Sequence, residues 1–369
     1  MKSVYIVAYL CVICLFFSCQ NKQDVRGLEN KITIVNSPTD ILVDSLFENV
    51  RYVPLELNDS SLLDGNIKRI CVHKGDIYVF DWSNGITVFD QCGKYKRKIQ
   101  HVGNGPGEYA FMFNFNLNSR GDISIIERPS FIYTYSNDDH FVSKIDTKVA
   151  IQDIAYLNDS VLLIRGASHV KGYKVYVLDM NKEQIIHSYS PIGPRTLDWS
   201  MNDCFTTYKG KLLLNSYQDL NVYELNQDSL SVRYAVEVKG KMPSAGFWDR
   251  KIPDWQMAAE YESSSDVFHV PCFVESDNHV LLRYEGSQEE SKGYAWVDKK
   301  TAASRVFKKI IWNEQFRWEP DFVYPLHEGD LVIVIPATTL LEQADETFRK
   351  QFPGLYEESN PVLMFATLK

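Results

Sequence analysis

The stretch from His101 to Tyr109, "HVGNGPGEY", is the segment whose composition most resembles a ligand-binding loop. Glycine-rich turns bind phosphate when backbone N–H groups and the N-terminus of a following helix point at the anion. Here the spacing is G-x-G-P-G, no Lys-Ser/Thr pair follows, and residues 110–117 have the composition of a strand. We therefore predict a sharp corner between strands, in which glycines supply positive φ angles and proline fixes one bend. The residues of this corner are Gly103, Gly105, Pro106 and Gly107.

Aromatic and charged side chains at the ends of several short apolar runs form a second group that could bind a ligand. Aromatic rings provide stacking surfaces, and charged groups orient what is bound. If the runs are equivalent strands, these side chains converge on one face, with the glutamate and tyrosine of the glycine corner beside them. The alternative is ordinary loop polarity, with that glutamate and tyrosine only holding the turn. The candidate ligand-binding residues are Trp82, Glu108, Tyr109, Arg128, Arg165 and Tyr284.

Motifs for metal binding or catalysis are absent from the sequence. The eight histidines are dispersed and form no H-x-H or H-E-x-x-H pattern, so we expect no zinc site. Neither a G-x-S-x-G elbow nor an EF-hand loop is present. Carboxylates are plentiful, but spacing along the chain does not show which two face each other, so no catalytic residue is assigned. We expect neither a metal nor a cofactor.

Residues 1–18 resemble the signal peptide of a bacterial lipoprotein. Lys2 gives a positive start, residues 4–17 are apolar, and Ser18 directly precedes Cys19. The apolar run is shorter than the roughly 20 residues that span a bilayer, and it fits the hydrophobic part of a secretory signal. We predict cleavage before Cys19 and a membrane contact only through lipid on this cysteine. The alternative is an ordinary signal peptide that is cut nearby.

The net charge limits which partners are expected, and the cysteine spacing limits which disulfides are expected. The net charge is −9, and cleavage after residue 18 removes Lys2 and no acid, so the mature chain is more acidic still. Such a chain lacks the basic surface that holds nucleic acid, and we expect no nucleic-acid partner. The four cysteines that follow Cys19 show no C-x-x-C spacing and imply no disulfide framework.

The elements that must position these residues form a repeat. A polar turn and a short apolar run, followed by a second run, occur six times in the same order. Val, Ile, Leu, Tyr and Phe dominate the runs, and Gly, Asn, Asp and Lys bound them, which is typical of strands and turns. Lone hairpins cannot bury such faces, so the repeat predicts an all-β fold, a six-bladed β-propeller, with a β-sandwich as the alternative. The first runs lie at 74–81, 120–127, 157–166, 208–217, 276–285 and 327–336.

The two ends of the chain predict how the propeller closes. The sixth pair of runs ends at Lys369, which leaves its sheet without an outer strand. Residues 50–57, "VRYVPLEL", are an unpaired strand candidate before the first repeat. We expect this N-terminal strand to complete the last blade, because closure removes the exposed edges that invite aggregation.

Two short helical insertions should decorate the propeller. Thr339 and Glu342 have the spacing of a capping box, and apolar residues then recur every four positions from Leu340 to Phe352. A second, shorter helix is predicted within 253–264. The predicted segments of the chain are a signal peptide (1–18), a tether (19–43) and the propeller (44–369).

Taken together, these features resemble the six-bladed, NHL-like β-propeller lipoproteins of gut anaerobic bacteria. The matching parts are the Ser18-Cys19 start, "RYVPLEL" at 51–57, the G-x-G-P-G-E-Y motif at 103–109 and "NPVLMFATLK" at 360–369. The resemblance spans nearly the whole chain and implies the fold and a location in the cell envelope, as an outer-membrane lipoprotein that is periplasmic or surface-exposed. It implies no particular reaction.

The function expected from these observations is that of a binding or scaffold module. The resemblance suggests a site near a nutrient-uptake system, with a glycan, a peptide or an envelope protein as the partner. The alternative is a metal-dependent hydrolase or lyase of the propeller lactonase type. That alternative rests on analogy between folds, and it would need Glu, Asn and Asp side chains that converge on a bound ion.

Overall fold

The computed structural model describes residues 30–35, 38–167, 172–191, 205–215, 220–226, 228–320 and 323–369. Regular structure in this part of the chain is mostly β-strand, arranged in seven sheets, and the helices are few and short. The protein is therefore an all-β propeller, as the repeat predicts. The predicted signal peptide and Cys19 lie outside the described residues.

The N-terminal segment joins the sheets before the first repeat begins. Its first strand pairs in parallel with a later strand, Lys31 opposite Ala235, and its second pairs with residues 310–311. The segment that we expected to be a tether, 19–43, therefore contributes two strands to the fold in its described part. The elements of the N-terminal segment are β1 (Lys31–Ile34), β2 (Ile41–Leu42), helix α1 (Val43–Leu46) and β3 (Phe47–Pro54).

Tight turns explain why the predicted runs pair as hairpins. In the pairs Lys74-Gly75, Lys209-Gly210 and Glu328-Gly329, both residues have a positive φ. Two consecutive positive φ angles are typical of a type I′ turn, whose twist matches that of the flanking strands. The polar turn of the repeat therefore joins the first and second strands of a sheet.

Sheets 1 to 3 each contain four antiparallel strands that follow one another along the chain. Sheet 1 consists of β4 (Ile67–His73), β5 (Asp76–Asp81), β6 (Gly85–Phe89) and β7 (Tyr95–Ile99). Sheet 2 consists of β8 (Asn114–Leu117), β9 (Ile123–Glu127), β10 (Phe131–Tyr135) and β11 (Phe141–Asp146). Sheet 3 consists of β12 (Ile151–Asn158), β13 (Val161–Gly166), β14 (Tyr173–Asp179) and β15 (Gln184–Pro191).

Sheets 4 and 5 repeat this arrangement, and β1 adds a fifth strand to sheet 4 beside β19. Sheet 4 consists of β16 (Phe205–Tyr208), β17 (Lys211–Asn215), β18 (Asn221–Leu225), β19 (Leu230–Val238) and β1. Sheet 5 consists of β20 (His269–Glu275), β21 (His279–Glu285), β22 (Gly293–Asp298) and β23 (Ser304–Phe307). The connection between these two sheets carries helix α2 (Asp254–Ser263), which confirms the shorter predicted insertion.

The prediction of six blades is wrong, because the described strands form seven sheets. The additional one, sheet 6, has three strands of two residues each: β2, β24 (Ile310–Ile311) and β25 (Arg317–Trp318). Strands this short have no detectable alternation of apolar and polar residues, and β2 lies far away in the sequence. The period-2 pattern that identifies the other strands therefore could not show this sheet.

The last sheet closes as the sequence predicts. Sheet 7 consists of β26 (Val323–Pro325), β27 (Asp330–Ile335), β28 (Val362–Leu368) and, as its outer strand, β3 from the N-terminal segment. β3 pairs antiparallel to β28, with Val53 opposite Leu363. The Tyr324 hydroxyl donates to the carbonyl oxygen of Ile67 at 2.8 Å, which links sheet 7 to sheet 1. A strand of the N-terminal segment thus pairs with the last strand of the propeller within one sheet.

The insertion between β27 and β28 forms two helices where we predicted one. Helix α3 (Ala337–Gln343) follows Pro336, so Thr339 lies inside the helix and is not its cap. Helix α4 (Glu346–Arg349) begins at Asp345, whose carboxylate accepts the Phe348 N–H at 2.8 Å. The apolar positions of the predicted helix are nevertheless all buried: Leu340, Ala344, Phe348 and Phe352.

The hydrophobic core lies between neighbouring sheets. Phe80 of sheet 1 and Phe115 of sheet 2 meet edge to face with ring centroids 6.2 Å apart, and both are fully buried. The first strands of sheets 1, 2, 3, 4 and 7 line a common cavity at the centre of the propeller. Aromatic and β-branched side chains thus pack the sheets radially, and loops at the two ends of the channel remain available for binding.

Candidate ligand-binding surface

Two β-bulges direct side chains toward one end of the channel, the end at which the second strands of the sheets finish. The pairing of β4 with β5 skips Lys68, and the pairing of β12 with β13 skips Gln152. A bulge leaves one residue out of the ladder and turns its side chain away from the regular direction. Lys68 lies over the ring of Trp82, and Gln152 accepts a hydrogen bond from Arg128. Both bulges therefore support predicted ligand-binding residues.

Trp82 follows β5 directly and forms an aromatic surface with two phenylalanines. Its ring centroid lies 5.7 Å from that of Phe111 at 36°, and 5.9 Å from that of Phe113 at 90°. The ammonium nitrogen of Lys68 lies 5.1 Å from the centroid of the Trp82 ring. Trp82 is half-buried, and Phe111 is 43% exposed. Two aromatic rings and a cation are therefore accessible together at this end of the channel.

Arg128 follows β9 directly and reaches the same place from sheet 2. Its guanidinium carbon lies 3.5 Å from the centroid of the Phe113 ring, and its Nη2 donates to Gln152 Oε1. Phe113 thus contacts both Trp82 and Arg128, and it brings two of the predicted ligand-binding residues together. Lys68, Trp82, Phe111, Phe113 and Arg128 together form a surface that we call the Trp82 surface.

A buried polar network adjoins this surface and ties together the first strands of sheets 1, 2 and 3. Asp153 of β12 accepts from Arg69 Nη2 of β4 at 2.9 Å and from Asn114 Nδ2 of β8 at 3.1 Å. Arg69 also donates to the carbonyl oxygen of Phe115. Arg165, a predicted ligand-binding residue, is buried and lies opposite Asp153 in the ladder. Arg165 is therefore placed inside the protein.

The glycine corner is occupied by its own glutamate. Glu108 Oε2 accepts the Gly105 N–H at 2.7 Å, and a Cβ atom on Gly103 would lie 1.9 Å from that oxygen. Of the three glycines only Gly107 has a positive φ, at 79°, so our expectation for the other two is wrong. Gly103 is needed because it leaves space for the Glu108 carboxylate. A phosphate would have to displace this carboxylate from the loop.

Tyr109 and Tyr284 are buried, and neither ring offers a stacking face to solvent. The Tyr109 hydroxyl accepts the His101 N–H at 3.0 Å, its ring meets that of Tyr133 edge to face, and burial raises the pKa of Tyr109 to about 12. Tyr284 lies against Gly293, and burial raises the pKa of Tyr284 to about 12 as well. Both tyrosines contribute to packing between strands.

The structure thus joins Trp82 to Arg128, while Glu108, Tyr109 and Tyr284 make their contacts elsewhere. Sequence reasoning missed Lys68, Phe111, Phe113 and Gln152. The mostly apolar run "FMFNF" at 111–115 leads into β8, and its composition predicts a single strand. Alternation within this run places its first and third residues on one side, which is the only available signal for the two phenylalanines. Nothing in the local sequence indicates the two bulges.

The central cavity has a volume of about 400 Å³ and reaches the opposite end of the channel. It is lined by the ends of first strands and by the turns that follow them, including His73, Asn118, Asp159 and His327. His327 Nδ1 lies 2.8 Å from Thr207 Oγ1.

Within the described ranges, no group of three or more His, Cys, Asp or Glu side chains is arranged to hold a metal ion. In the same part of the chain, no helix is long and apolar enough to cross a membrane.

Comparison with known proteins relates this architecture to solved structures from Bacteroides. A Bacteroides fragilis NCTC 9343 protein assigned as exported superposes with a TM-score of 0.77 at 18% identity, and the match covers 92% of this chain and 100% of that one. A member of the DUF4221 family from Bacteroides vulgatus ATCC 8482 superposes with a TM-score of 0.52 at 10% identity, over 88% of this chain and 97% of that one. At these identities the likeness concerns the fold.

Sequence comparison identifies the family. No curated protein matches the chain. The family model described as "Domain of unknown function (DUF4934)" matches residues 29–367, which is nearly all of the propeller and its N-terminal strands, and the chain therefore belongs to the DUF4934 family.

Proposed function

We propose that this protein is a binding module of the cell envelope that holds a glycan on the Trp82 surface. The observation that carries the proposal is the pair of accessible rings, Trp82 and Phe111, beside the Lys68 ammonium at one end of the channel. Exposed aromatic rings that lie next to each other are typical of sites that bind ligands with a flat apolar face. Sugar rings have such faces, and their hydroxyl groups can accept from neighbouring cations.

The side chains that pack against these rings favour a binding site that is already formed before the ligand arrives. Phe113 is buried and packs against Trp82. The Arg128 guanidinium lies over the Phe113 ring and donates a hydrogen bond to Gln152. Side chains that are held in place before binding lose less conformational entropy when a ligand arrives. The surface therefore suits recognition without rearrangement of the propeller.

A peptide is the weaker alternative as a ligand. Peptides are commonly bound by addition to a sheet edge, by insertion of a helix into an apolar groove, or as polyproline segments on aromatic grooves. The Trp82 surface consists of loop-borne rings and two cations next to the channel, and it supports stacking better than strand pairing. Binding of a peptide in place of any glycan would overturn this part of the proposal.

The location proposed for this module is the envelope, through a lipid on Cys19. The supporting observations are the Ser18-Cys19 start and the exported assignment of the structurally similar Bacteroides fragilis protein. Replacing Cys19 with Ala should release the protein from the membrane fraction, whereas the matched change Cys14→Ala should not. Membrane association that survives Cys19→Ala would contradict lipid anchoring at this residue.

Titration calorimetry of the mature protein with a panel of neutral and acidic oligosaccharides tests the binding proposal. Trp82→Ala should weaken binding about tenfold or more, because truncating a central aromatic side chain removes its stacking contact. Trp255→Ala is the matched control, since Trp255 is 73% exposed on α2 and lies outside the Trp82 surface. Binding that is equal in Trp82→Ala and wild type, or no binding by any member of the panel, would overturn the proposal.

A further inference from the structure

We infer that the glycan held on the Trp82 surface is acidic, with a sugar carboxylate recognised by Lys68 and Arg128. This inference rests on the proposed function and deepens it by naming the chemical class of the ligand. It follows from where the two cations lie, what already surrounds them, and the charge of the remainder of the protein.

Lys68 is a cation placed by a bulge beside an aromatic ring. Its ammonium lies over Trp82, and among the described residues no carboxylate lies within 4.0 Å of it. The side chain is half-buried, and this burial lowers the pKa of Lys68, while the more distant charge of Asp64 acts in the opposite direction. A partly desolvated ammonium gains more from an arriving anion than a solvated one does. A ligand carboxylate would supply the charge partner at this position.

Arg128 presents a second cation to the same surface. Its guanidinium stacks on Phe113 and donates to a neutral amide oxygen, that of Gln152. A guanidinium has five N–H donors in a planar fork that matches a carboxylate, and stacking on a ring holds this fork in a defined plane. Lys68 and Arg128 belong to sheets 1 and 2, so an acidic ring stacked on Trp82 would meet one cation from each sheet.

The carboxylates near this surface are engaged in turns of the chain. Asp81 accepts the N–H groups of Ser83 and Asn84, and Glu127 accepts the Ala110 N–H at 2.6 Å and the Tyr133 hydroxyl at 2.8 Å. Asp64 accepts the Asn66 N–H and is bonded to the Ser83 hydroxyl. These bonds keep the acids in the loops. The chain as a whole carries a net charge of −9.

The acidity of the whole chain also limits the type of anion. A long polyanion such as nucleic acid is repelled by a protein of negative net charge and would need a continuous basic surface. A short glycan needs only one or two carboxylates near Lys68 and Arg128, and its remaining contacts are ring stacking. A uronic-acid-containing oligosaccharide combines these two features.

The test compares tetragalacturonic acid with its fully methyl-esterified form, which keeps the sugar skeleton and removes the charge. Calorimetry at low salt should show at least about tenfold tighter binding of the acid, and added salt should reduce this preference. In Lys68→Met and in Arg128→Gln the preference for the acid should shrink, because binding of the acid weakens more than binding of the ester does. Lys350→Met, at an exposed lysine directly after α4, is the matched control and should change neither affinity.

One further variant gives a gain of affinity, which a folding defect cannot imitate. Asp64→Asn removes a negative charge that interacts with the Lys68 ammonium, and the amide retains an oxygen that can accept the Asn66 N–H. It should tighten binding of the acid and leave binding of the ester unchanged. Tighter binding of both ligands, or of neither, would contradict the inference.

The outcomes separate the two proposals. If acid and ester bind equally well and both affinities fall in Trp82→Ala, the charge inference is wrong and the binding function stands. If the acid binds more tightly and Lys68→Met removes that preference, both stand. If no acidic oligosaccharide, including sialyllactose and glucuronic-acid-containing fragments, binds more tightly than its neutral counterpart, the inference of an acidic ligand is overturned.

Discussion

Asp153 in sheet 3 and Glu275 in sheet 5 are both buried carboxylates that bind an arginine from another sheet, yet their surroundings differ in access to water. Asp153 is bonded to Arg69, whose side chain is only 3% exposed. Glu275 is bonded to Arg233, Tyr234 and Lys299, at 2.7 to 2.9 Å. The Arg233 and Lys299 side chains are 18% and 24% exposed. One carboxylate is thus enclosed with its cation, and the other has cations that reach the surface.

This difference determines what happens when the anion is lost. A buried cation without its partner must remain desolvated, and this is the main penalty of breaking a buried ion pair. A cation near the surface can turn toward water and recover much of its solvation. The network around Asp153 should therefore be essential for stability where it adjoins the Trp82 surface, while the network around Glu275 should tolerate change.

The largest expected effect is that of Asp153→Asn. This change keeps the shape of the side chain and removes the negative charge that is bonded to the buried Arg69, so the free energy of unfolding should fall by about 3–5 kcal/mol. Urea denaturation at pH 7 measures it, with Asp138→Asn in an exposed turn as the control. A loss below about 1 kcal/mol would show that Arg69 finds water or another partner.

Glu275→Gln should have a smaller effect, about 1.5–3 kcal/mol, because the lost interactions are charge-assisted hydrogen bonds whose donors can partly rehydrate. The same urea experiment measures it. A cost equal to or greater than that of Asp153→Asn would break the comparison, since exposure of the cations would then not decide the penalty.

His269 sharpens the comparison, because it is a buried titratable group of sheet 5 beside a cation. Burial, followed by the charge of Arg283, lowers the pKa of His269 to about 3. In the unfolded chain the pKa of histidine is about 6.5, so below this pH the unfolded state takes up a proton that the folded state does not. The stability that this group contributes is present above pH 6.5 and is lost as the pH falls toward 3.

The free energy of unfolding should accordingly decrease between pH 7 and pH 5, by up to about 2 kcal/mol from this residue. His269→Gln should remove most of that pH dependence, and His187→Gln, at an exposed histidine of β15, should not. Unfolding curves of the three proteins at both pH values measure the effect. An equal slope in wild type and His269→Gln would mean that the imidazole is protonated inside the fold.

The glycine corner provides the smallest effects and tests steric packing without buried charge. Gly107→Ala combines a positive φ with a Cβ atom 2.6 Å from the Phe141 ring, and it should cost at least about 1 kcal/mol. Gly103→Ala should act only through contact with the Glu108 carboxylate. Adding Glu108→Ala should therefore restore part of the stability lost in Gly103→Ala, as measured by thermal unfolding. An unchanged loss in the double variant would contradict this account.

The strands that the sequence predicts well are those with a local signature. The hairpin turn at Lys74-Gly75, the alternating runs on each side of it and the unpaired run at 50–57 can all be recognised within about ten residues. Sheet 6 and the pairing of β1 with β19 could not be predicted in this way, because each depends on contact between short segments that are about two hundred or more residues apart in the chain. Such pairing has no local signature.

The residues of the candidate site likewise differ in whether the local sequence could predict them. Trp82 and Arg128 could be predicted, because each is a large polar-tipped or aromatic residue directly after a second strand. Lys68 could not, because only the register of β4 against β5 shows that it leaves the ladder. Tyr284 lies within β21 and does not follow it, and packing of neighbouring strands buries its side chain.

By itself, the sequence of this protein determined an all-β propeller closed by an N-terminal strand, because strand alternation, turn residues and chain ends act over short distances. Only the tertiary structure decided the number of sheets, which loop residues face solvent, and that Lys68 stands over Trp82. These features depend on register and on packing between sheets, where one residue of slip moves a side chain from the core to the surface.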